Sequence, residues 1–155
     1  MEFSEIKKIG KTAWSKIKGE CIFCKIIEQK DGEIVFENDD VIAFAPLERD
    51  VVAEGHLLVV PKNHYENIFD IPAKELSKVS KTAKEISEIL KEKETLDAVN
   101  IMHASGKEAQ QSVNHFHLHL IPRTDDGLDL WPETEYEEEN YSENYGKIRE
   151  ILEEK

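Results

Sequence analysis

The chain has 155 residues, a formal net charge of −13 and a hydrophobic fraction of 39%. This length predicts a single domain with a sizeable core, and the acidic balance argues against a nucleic-acid binder that works by bulk positive charge. No apolar run approaches the roughly 18 residues needed to span a bilayer, and the polar start at residues 1–5 is unlike a signal peptide. Two cysteines three positions apart exclude a disulfide framework. We therefore expect a cytoplasmic protein with reduced thiols and no membrane partner.

The acidic residues are concentrated at the end of the chain. Residues 125–155 contain twelve acidic and three basic residues, a net charge of −9, which leaves −4 for the rest. Residues 1–20 are rich in lysine and precede the first compact pattern. The sequence therefore predicts an N-terminal extension at 1–20, one domain at 21–124 and an acidic C-terminal segment at 125–155.

The first half of the domain predicts a short helix and three strands. Residues 21–27 (CIFCKII) indicate a turn that leads into the helix. Ile34–Phe36 and Val41–Phe44 are β-branched and aromatic runs divided by four polar residues, which is typical of a hairpin. His56–Val60, stopped by Pro61, predicts a third strand that is apolar enough to be buried on both faces.

The second half predicts one long helix, two strands and a short terminal helix. Apolar residues recur at three- and four-residue steps over about residues 72–93, the period of an amphipathic helix that starts at Pro72. Asp97–Met102 predicts the fourth strand, and Val113–Ile121, ended by Pro122, predicts the fifth. Apolar residues at helical spacing mark the terminal helix: Tyr141, Tyr145, Ile148 and Leu152. One main helix among five strands predicts an α+β domain with a mostly antiparallel sheet.

Three histidines alternate with apolar residues in the fifth strand: His115, His117 and His119. Because side chains alternate between the faces of a strand, the three imidazoles are expected on one face, about 6.6 Å apart, with the apolar residues on the other. The apolar face can be buried against the long helix. Three aligned imidazoles have no packing purpose, so the pattern indicates chemistry.

Two kinds of chemistry fit aligned imidazoles. They can bind a metal ion, or one of them can attack phosphorus, provided that its tautomer is fixed and its neighbours donate hydrogen bonds to phosphate oxygens. Gln111 and Ser112 lie just upstream and supply amide and hydroxyl donors. His56 adds a fourth imidazole if the third strand pairs with the fifth. No Asp accompanies the histidines as in water-activating metal sites, so the sequence favours nucleophilic catalysis.

The motifs together resemble the histidine-triad (HIT) family of nucleotide hydrolases and transferases, in its zinc-containing bacterial and archaeal form. The resemblance covers roughly residues 21–123 and comprises CIFCKII, VIAF, GHLLVVPKNH, the Gln-Ser pair and HFHLHLIPR, in that order. It implies a HIT-like fold and hydrolysis of nucleoside phosphoramidates, dinucleoside polyphosphates or related nucleotide conjugates. The implied reaction proceeds through a covalent nucleotidyl-histidine.

The resemblance also implies the roles of individual histidines. His117 would be the nucleophile, and its other ring nitrogen would donate to the carbonyl oxygen of His115. His119 and Gln111 would contact the phosphate. His56 would complete the imidazole network.

Further roles follow from the same resemblance. Ser112 would help to protonate the leaving group. Four apolar residues match positions that form the base pocket, although core packing is an equally good interpretation of them: Phe23, Ile26, Phe44 and Leu47.

Cys21 and Cys24 form a CxxC pair, which by itself fits half of a tetrahedral zinc site or a redox pair. The resemblance implies that His64 and His115 complete a Cys₂His₂ site with one Zn²⁺ per chain. A closed site with four protein ligands is structural rather than catalytic. It would tie the segment around the cysteines to the third and fifth strands.

The chain departs from the family pattern where the ribose is bound. The family usually carries an Asp shortly after the Ala-Phe pair, whereas Ala43–Leu47 contains no acid. The connection from Phe44 to His56 is also longer than usual. Glu48 and Asp50 are the candidates to replace the missing carboxylate.

Two alternatives to hydrolysis remain open. Ala43–Pro46 also resembles the nucleotidyltransferase and phosphorylase branches of the superfamily, in which the acceptor is not water. A nucleotide-binding regulatory protein with vestigial activity is the second alternative. The resemblance implies a small-molecule nucleotide as partner and a homodimer. His103, on the fourth strand, is interpreted as a partly buried or surface histidine without a functional role.

Overall fold

One five-stranded sheet organises the computed structural model of this protein. All four strand pairings are antiparallel, and the strand order is β1-β2-β3-β5-β4. The strands are β1 (Ile34–Glu37), β2 (Val41–Phe44), β3 (Leu57–Pro61), β4 (Ala98–Met102) and β5 (Leu118–Arg123). The helices are α1 (Ile22–Gln29), α2 (Ala73–Glu92) and α3 (Tyr141–Glu153), with a 3₁₀ turn at Glu48–Asp50. The predicted α+β fold is confirmed.

The structure describes residues 21–125, 127–130 and 140–154. The predicted N-terminal extension at 1–20 lies outside these ranges, as does the middle of the acidic C-terminal segment. The division into 1–20, 21–124 and 125–155 therefore stays a prediction. Within the described ranges, none of the helices combines the length and the apolar character that crossing a bilayer requires.

The sheet separates two apolar cores because neighbouring residues of each strand face opposite sides. On one side, α2 packs Val79, Ala83 and Ile86 against residues of all three central strands, including Val41, Val59, Leu118 and Leu120. On the other side, α1 packs Phe23 and Ile26 against Ile42, Phe44, Leu58 and Val60. All five residues of β3 are buried, as predicted for a strand covered on both faces.

The fifth strand differs in extent from the prediction. It begins at Leu118 rather than Val113, and it continues through Pro122 to Arg123. The pairing of β3 with β5 ends at Leu120, so Pro122 is paired on the β4 side only, with Val99. Upstream of Leu118, the N–H of Phe116 donates to the carbonyl oxygen of Tyr65 (2.6 Å), which lies in a loop.

The predicted alternation of side chains survives this shortening. Phe116 belongs to the core under α2, whereas the rings of His115 and His117 contact Phe23 of α1. His117 and His119 lie next to each other, with ring centroids 4.9 Å apart. The histidine face is therefore the face of the sheet that α1 covers.

The predicted terminal helix is also present, as α3. None of its residues is buried, and its four predicted apolar positions are at least 49% exposed: Tyr141, Tyr145, Ile148 and Leu152.

Candidate active site

A cavity of about 590 Å³ opens on the α1 side of the sheet, above the junction of β3 and β5. It is lined by the imidazoles of His56, His117 and His119, and by most of the other predicted site residues: Phe23, Ile26, Phe44, Leu47, Gln111 and Ser112. Residues that are far apart in the sequence are thus brought together around the central histidine.

The tautomer of His117 is fixed by the backbone. Its Nδ1 lies 2.7 Å from the carbonyl oxygen of His115. Because a carbonyl oxygen only accepts, Nδ1 carries the hydrogen and Nε2 of the neutral ring keeps its lone pair. Burial lowers the pKa of His117 to about 4, against the opposing effect of the bond to His115, so the ring is neutral at pH 7. His117 therefore presents an unprotonated nitrogen.

The tautomers of His56 and His119 follow from a second backbone group. The N–H of Val52 lies 3.3 Å from Nδ1 of His56, which must accept, so Nε2 of His56 carries the hydrogen. That Nε2 lies 3.0 Å from Nδ1 of His119, which accepts in turn. His119 is therefore protonated on Nε2. The pair gives the cavity wall a hydrogen-bond donor beside the lone pair of His117.

Both rings of this pair are held in the neutral form. Burial lowers the pKa of His56, and the neighbouring His117 lowers it further. Burial lowers the pKa of His119 to about 4, with smaller contributions from His56 and His103. An imidazole that is neutral at pH 7 can donate from one nitrogen while it accepts at the other, as this pair does.

The four predicted metal ligands converge on one point. One ligand atom from each of Cys21, Cys24, His64 and His115 lies within 4.8 Å of the others. Nδ1 of His115 is 3.4 Å and 3.6 Å from the two sulfur atoms, and Nδ1 of His64 is 3.4 Å from Sγ of Cys24. Ligands of a tetrahedral zinc ion stand about 3.5 Å apart at the usual bond lengths. These residues can hold a metal ion, and their arrangement fits zinc.

The surroundings of the cluster favour a cation. Nε2 of His115 donates to the carbonyl oxygen of Pro61 (2.8 Å), which leaves its Nδ1 as the free lone pair that faces the cysteines. Burial and the neighbouring Cys21 raise the pKa of Cys24 to about 12. A bound cation would reverse this effect, because a coordinating thiol is deprotonated.

The predicted base-pocket residues lie both in the core and on the cavity wall. Phe23, Ile26 and Phe44 belong to the apolar core between α1 and the sheet, and all three also line the cavity. Leu47 lines the cavity beside them and is half-buried. The rings of Phe23 and Phe44 meet edge to face, with centroids 5.2 Å apart. Contact of these residues with a base stays a prediction.

Gln111 and Ser112 lie at the cavity, but the Gln111 amide already has partners. Its Nε2 donates to the carbonyl oxygens of Glu66 (2.7 Å) and Val113 (2.9 Å), and its Oε1 accepts from the N–H of Gly106 (2.8 Å). These three hydrogen bonds of the Gln111 side chain stabilise the loop that carries Ser112. A contact from its amide to phosphate, which stays a prediction, requires one of these bonds to break.

The extended connection between Phe44 and His56 supplies a charged part of the cavity wall. Asp50 lines the cavity, whereas Glu48, the other candidate for the missing ribose carboxylate, is not among its lining residues. Arg49 also lines it and was not predicted from the sequence. The unusual length of this connection was the feature of the sequence that could have predicted its contribution to the cavity, because extra residues beside a binding site contribute to its wall.

Comparisons with known proteins agree with this architecture. The HIT domain family model matches residues 28–126. The chain is 44% identical over 104 residues to an uncharacterised HIT-like protein of Methanocaldococcus jannaschii, which covers 66% of this chain and 78% of that protein. It is 36% identical over 118 residues to the adenosine 5'-monophosphoramidase HNT1 of Saccharomyces cerevisiae, and this match covers 74% of this chain and 72% of the yeast protein. A crystal structure of a histidine triad nucleotide-binding protein from Candida albicans matches with a TM-score of 0.71 and 31% identity. The match covers 87% of this chain and 96% of the Candida albicans chain.

The neutral pair His56–His119 predicts how stability changes with pH. A histidine with a lowered pKa binds fewer protons in the folded than in the unfolded state, so the free energy of unfolding falls as the pH drops from the unfolded pKa of about 6.5 towards the folded value. We expect His119→Gln to flatten this fall by about 1–3 kcal/mol between pH 7 and 4.5. Urea unfolding of both proteins across this range measures the difference. Parallel profiles would mean that the pair does not contribute.

Proposed function

Because the chain belongs to the HIT domain family, we propose that it is a nucleotide hydrolase that acts through a covalent intermediate on His117. The observation that carries the proposal is the tautomer of this ring: Nδ1–H is bonded to the carbonyl oxygen of His115, and Nε2 keeps its lone pair. The fungal relative named as an adenosine 5'-monophosphoramidase supports the same class of reaction.

The proposed reaction has two displacements at the α-phosphorus. Nε2 of His117 forms a bond to phosphorus while the bond to the leaving group breaks, and the leaving group takes up a proton with the help of Ser112. Water then attacks the same phosphorus, the P–N bond breaks, and a nucleoside monophosphate is released. Each displacement is easier than direct attack by water because imidazole is both a good nucleophile and a good leaving group.

The charge that develops on the phosphate oxygens requires donors. The Nε2–H of His119 is one such donor, and its orientation is set by the chain of bonds from Val52 through His56. Pre-oriented donors stabilise a transition state more than mobile ones because they need no reorganisation during the reaction. His56 acts through His119 and not on the substrate.

The proposed substrates are nucleoside phosphoramidates, dinucleoside polyphosphates or related nucleotide conjugates. Phe23, Ile26, Phe44 and Leu47 offer an apolar surface for a flat base. We place the ribose at Asp50, because this carboxylate lines the same cavity. The alternatives are transfer to an acceptor other than water, as in the related transferases and phosphorylases, and nucleotide binding with only vestigial activity.

Replacing the nucleophile tests the proposal. We expect His117→Ala to lower the turnover of an adenosine 5'-phosphoramidate by at least about a thousandfold, because the proposed intermediate forms on this ring. His119→Ala should cost about a hundredfold, the usual effect of removing one such donor. The release of AMP gives the rate, and mass spectrometry of quenched wild-type reactions detects the adduct.

The control for these variants is Lys84→Ala on the exposed side of α2, which should keep the wild-type rate. A full rate in the His117→Ala protein would overturn the mechanism. A wild-type protein that binds AMP without forming an adduct would favour the binding alternative. Faster consumption of the adduct by inorganic phosphate than by water would favour transfer.

We also propose that the four-residue cluster binds one structural zinc ion per chain. When bound, the ion would link α1 to the loop after β3 and to the segment before β5, and would supply cross-linking rather than catalysis. Thiolate ligands persist in a reducing compartment, which is why we propose the cytoplasm as the location.

Elemental analysis of protein purified without chelator tests the metal. We expect one zinc per wild-type chain and loss of the metal in Cys24→Ser, because three ligands hold a structural ion poorly. His119→Gln is the matched control, since it removes an imidazole outside the ligand set and should keep the metal. Wild-type protein with both thiols reduced and no zinc would contradict the proposal.

We also propose that the protein forms a homodimer and that two copies meet at β4. The two edge strands differ in charge: β1 carries Glu37, which pairs with Lys30 and Lys62, whereas β4 has no charged residue and exposes 46% of Ile101. Charged edges resist pairing with another chain, and an uncharged edge permits it.

Light scattering of the purified protein tests this interface. We expect a dimer, and we expect Ile101→Lys to shift it towards the monomer. The matched control is Val35→Lys on β1, which should leave the dimer intact. A wild-type monomer at high concentration would refute the proposal.

A further inference from the structure

His103 lies directly behind the proposed nucleophile. It follows the last residue of β4, and its Nδ1 is 2.8 Å from the carbonyl oxygen of His117. Its ring packs on Phe116, with centroids 4.3 Å apart and an interplanar angle of 33°. Its other nitrogen, Nε2, is 2.5 Å from Oγ of Ser105. The sequence-based interpretation of His103 as a partly buried or surface histidine does not account for two directed hydrogen bonds.

In this chain of hydrogen bonds, every donor points towards His117. The carbonyl oxygen of His117 only accepts, so Nδ1 of His103 carries a hydrogen, and in the neutral form of the ring Nε2 accepts from the hydroxyl of Ser105. Oγ of Ser105 in turn accepts from the N–H of Ile68 (2.9 Å). The chain therefore runs from a backbone donor in the loop before α2 to the backbone acceptor of the nucleophile.

The position of His117 explains why such a donor is useful. The pairing of β4 with β5 ends at Met102 and His119, so the His117 carbonyl lies beyond the last paired residues. The side chain of His103 thus supplies a hydrogen bond where regular strand pairing has ended. Its bond to the carbonyl and the bond of the His117 ring to His115 hold the nucleophile at two points.

We propose that His103 is a positioning residue for His117: by holding the carbonyl of residue 117, it aims the imidazole at the phosphorus. This inference rests on the proposed function, in which His117 is the nucleophile. His103 itself is not among the residues that line the cavity. Its effect is expected on the rate of bond formation, because small displacements of a reacting atom cost rate far more than binding.

The geometry of the ring allows the two nitrogens to be tested separately. In His103→Asn, the amide nitrogen can occupy the position of Nδ1 and donate to the His117 carbonyl. In His103→Gln, the amide nitrogen reaches instead to the position of Nε2, next to Ser105. His103→Leu keeps apolar contact with Phe116 and removes both bonds. A role in packing alone predicts no preference for Asn over Gln.

Steady-state and single-turnover kinetics with an adenosine 5'-phosphoramidate measure the effect. We expect His103→Leu and His103→Gln to lower kcat and the rate of adduct formation by about 10- to 100-fold with KM nearly unchanged. His103→Asn should stay within about fivefold of wild type. Ile86→Val, a substitution at a buried residue of α2, is the control for lost stability: it should lower the melting temperature and leave kcat at the wild-type value.

A nuclear magnetic resonance measurement tests the bond without any activity. Long-range ¹⁵N spectra of the imidazoles should show His103 protonated on Nδ1 and unprotonated on Nε2 at pH 7. The opposite tautomer would overturn the inference. So would equal kcat values in His103→Leu and wild type when the wild type forms the adduct. A wild type that forms no adduct, with His103 in the expected tautomer, would instead overturn the nucleophilic role of His117 and leave the bond to its carbonyl established.

Discussion

The hydrogen bond from Nδ1 of His117 to the carbonyl oxygen of His115 is the interaction on which the site depends. It is made within one short segment, between residues two apart, and it decides which nitrogen of the central ring has a lone pair. A side-chain partner could rotate away, whereas a carbonyl of the main chain moves only when the segment itself moves. The reactivity of the ring is thus coupled to the position of the backbone at residue 115.

His115 connects this bond to the cluster formed by Cys21, Cys24, His64 and His115. Its carbonyl oxygen accepts from His117, while its ring donates to Pro61 at the end of β3 and turns Nδ1 towards the two cysteines. One residue therefore belongs both to the proposed ligand set and to the backbone that orients the ring of His117. Main-chain groups also direct the rings of His56 and His103, through the N–H of Val52 and the carbonyl of His117. The fold sets the protonation pattern of these imidazoles mainly through main-chain groups.

Much of this arrangement could be predicted from the sequence because it follows from short-range rules. The period of two along the histidine segment places His117 and Phe116 on opposite faces, whereas the four residues of the cluster were predicted from the resemblance to the family. The start of β5 at Leu118, the occupied amide of Gln111 and the contacts of His103 could not be predicted. Each depends on the path of a loop: Phe116 bonds to Tyr65, Gln111 to Glu66, and His103 through Ser105 to Ile68. No local pattern specifies pairings between residues this far apart in the sequence.

Three residues belong both to the cavity wall and to the core under α1: Phe23, Ile26 and Phe44. This overlap limits how the protein can evolve. A substitution that reshapes the wall to admit a different ligand also disturbs the packing that keeps the domain folded, so specificity and foldability are selected on the same side chains. The turn at Glu48–Asp50 has no buried residue, yet two of its members border the cavity. A different side chain at Arg49 or Asp50 would therefore reshape the cavity wall and leave the core intact.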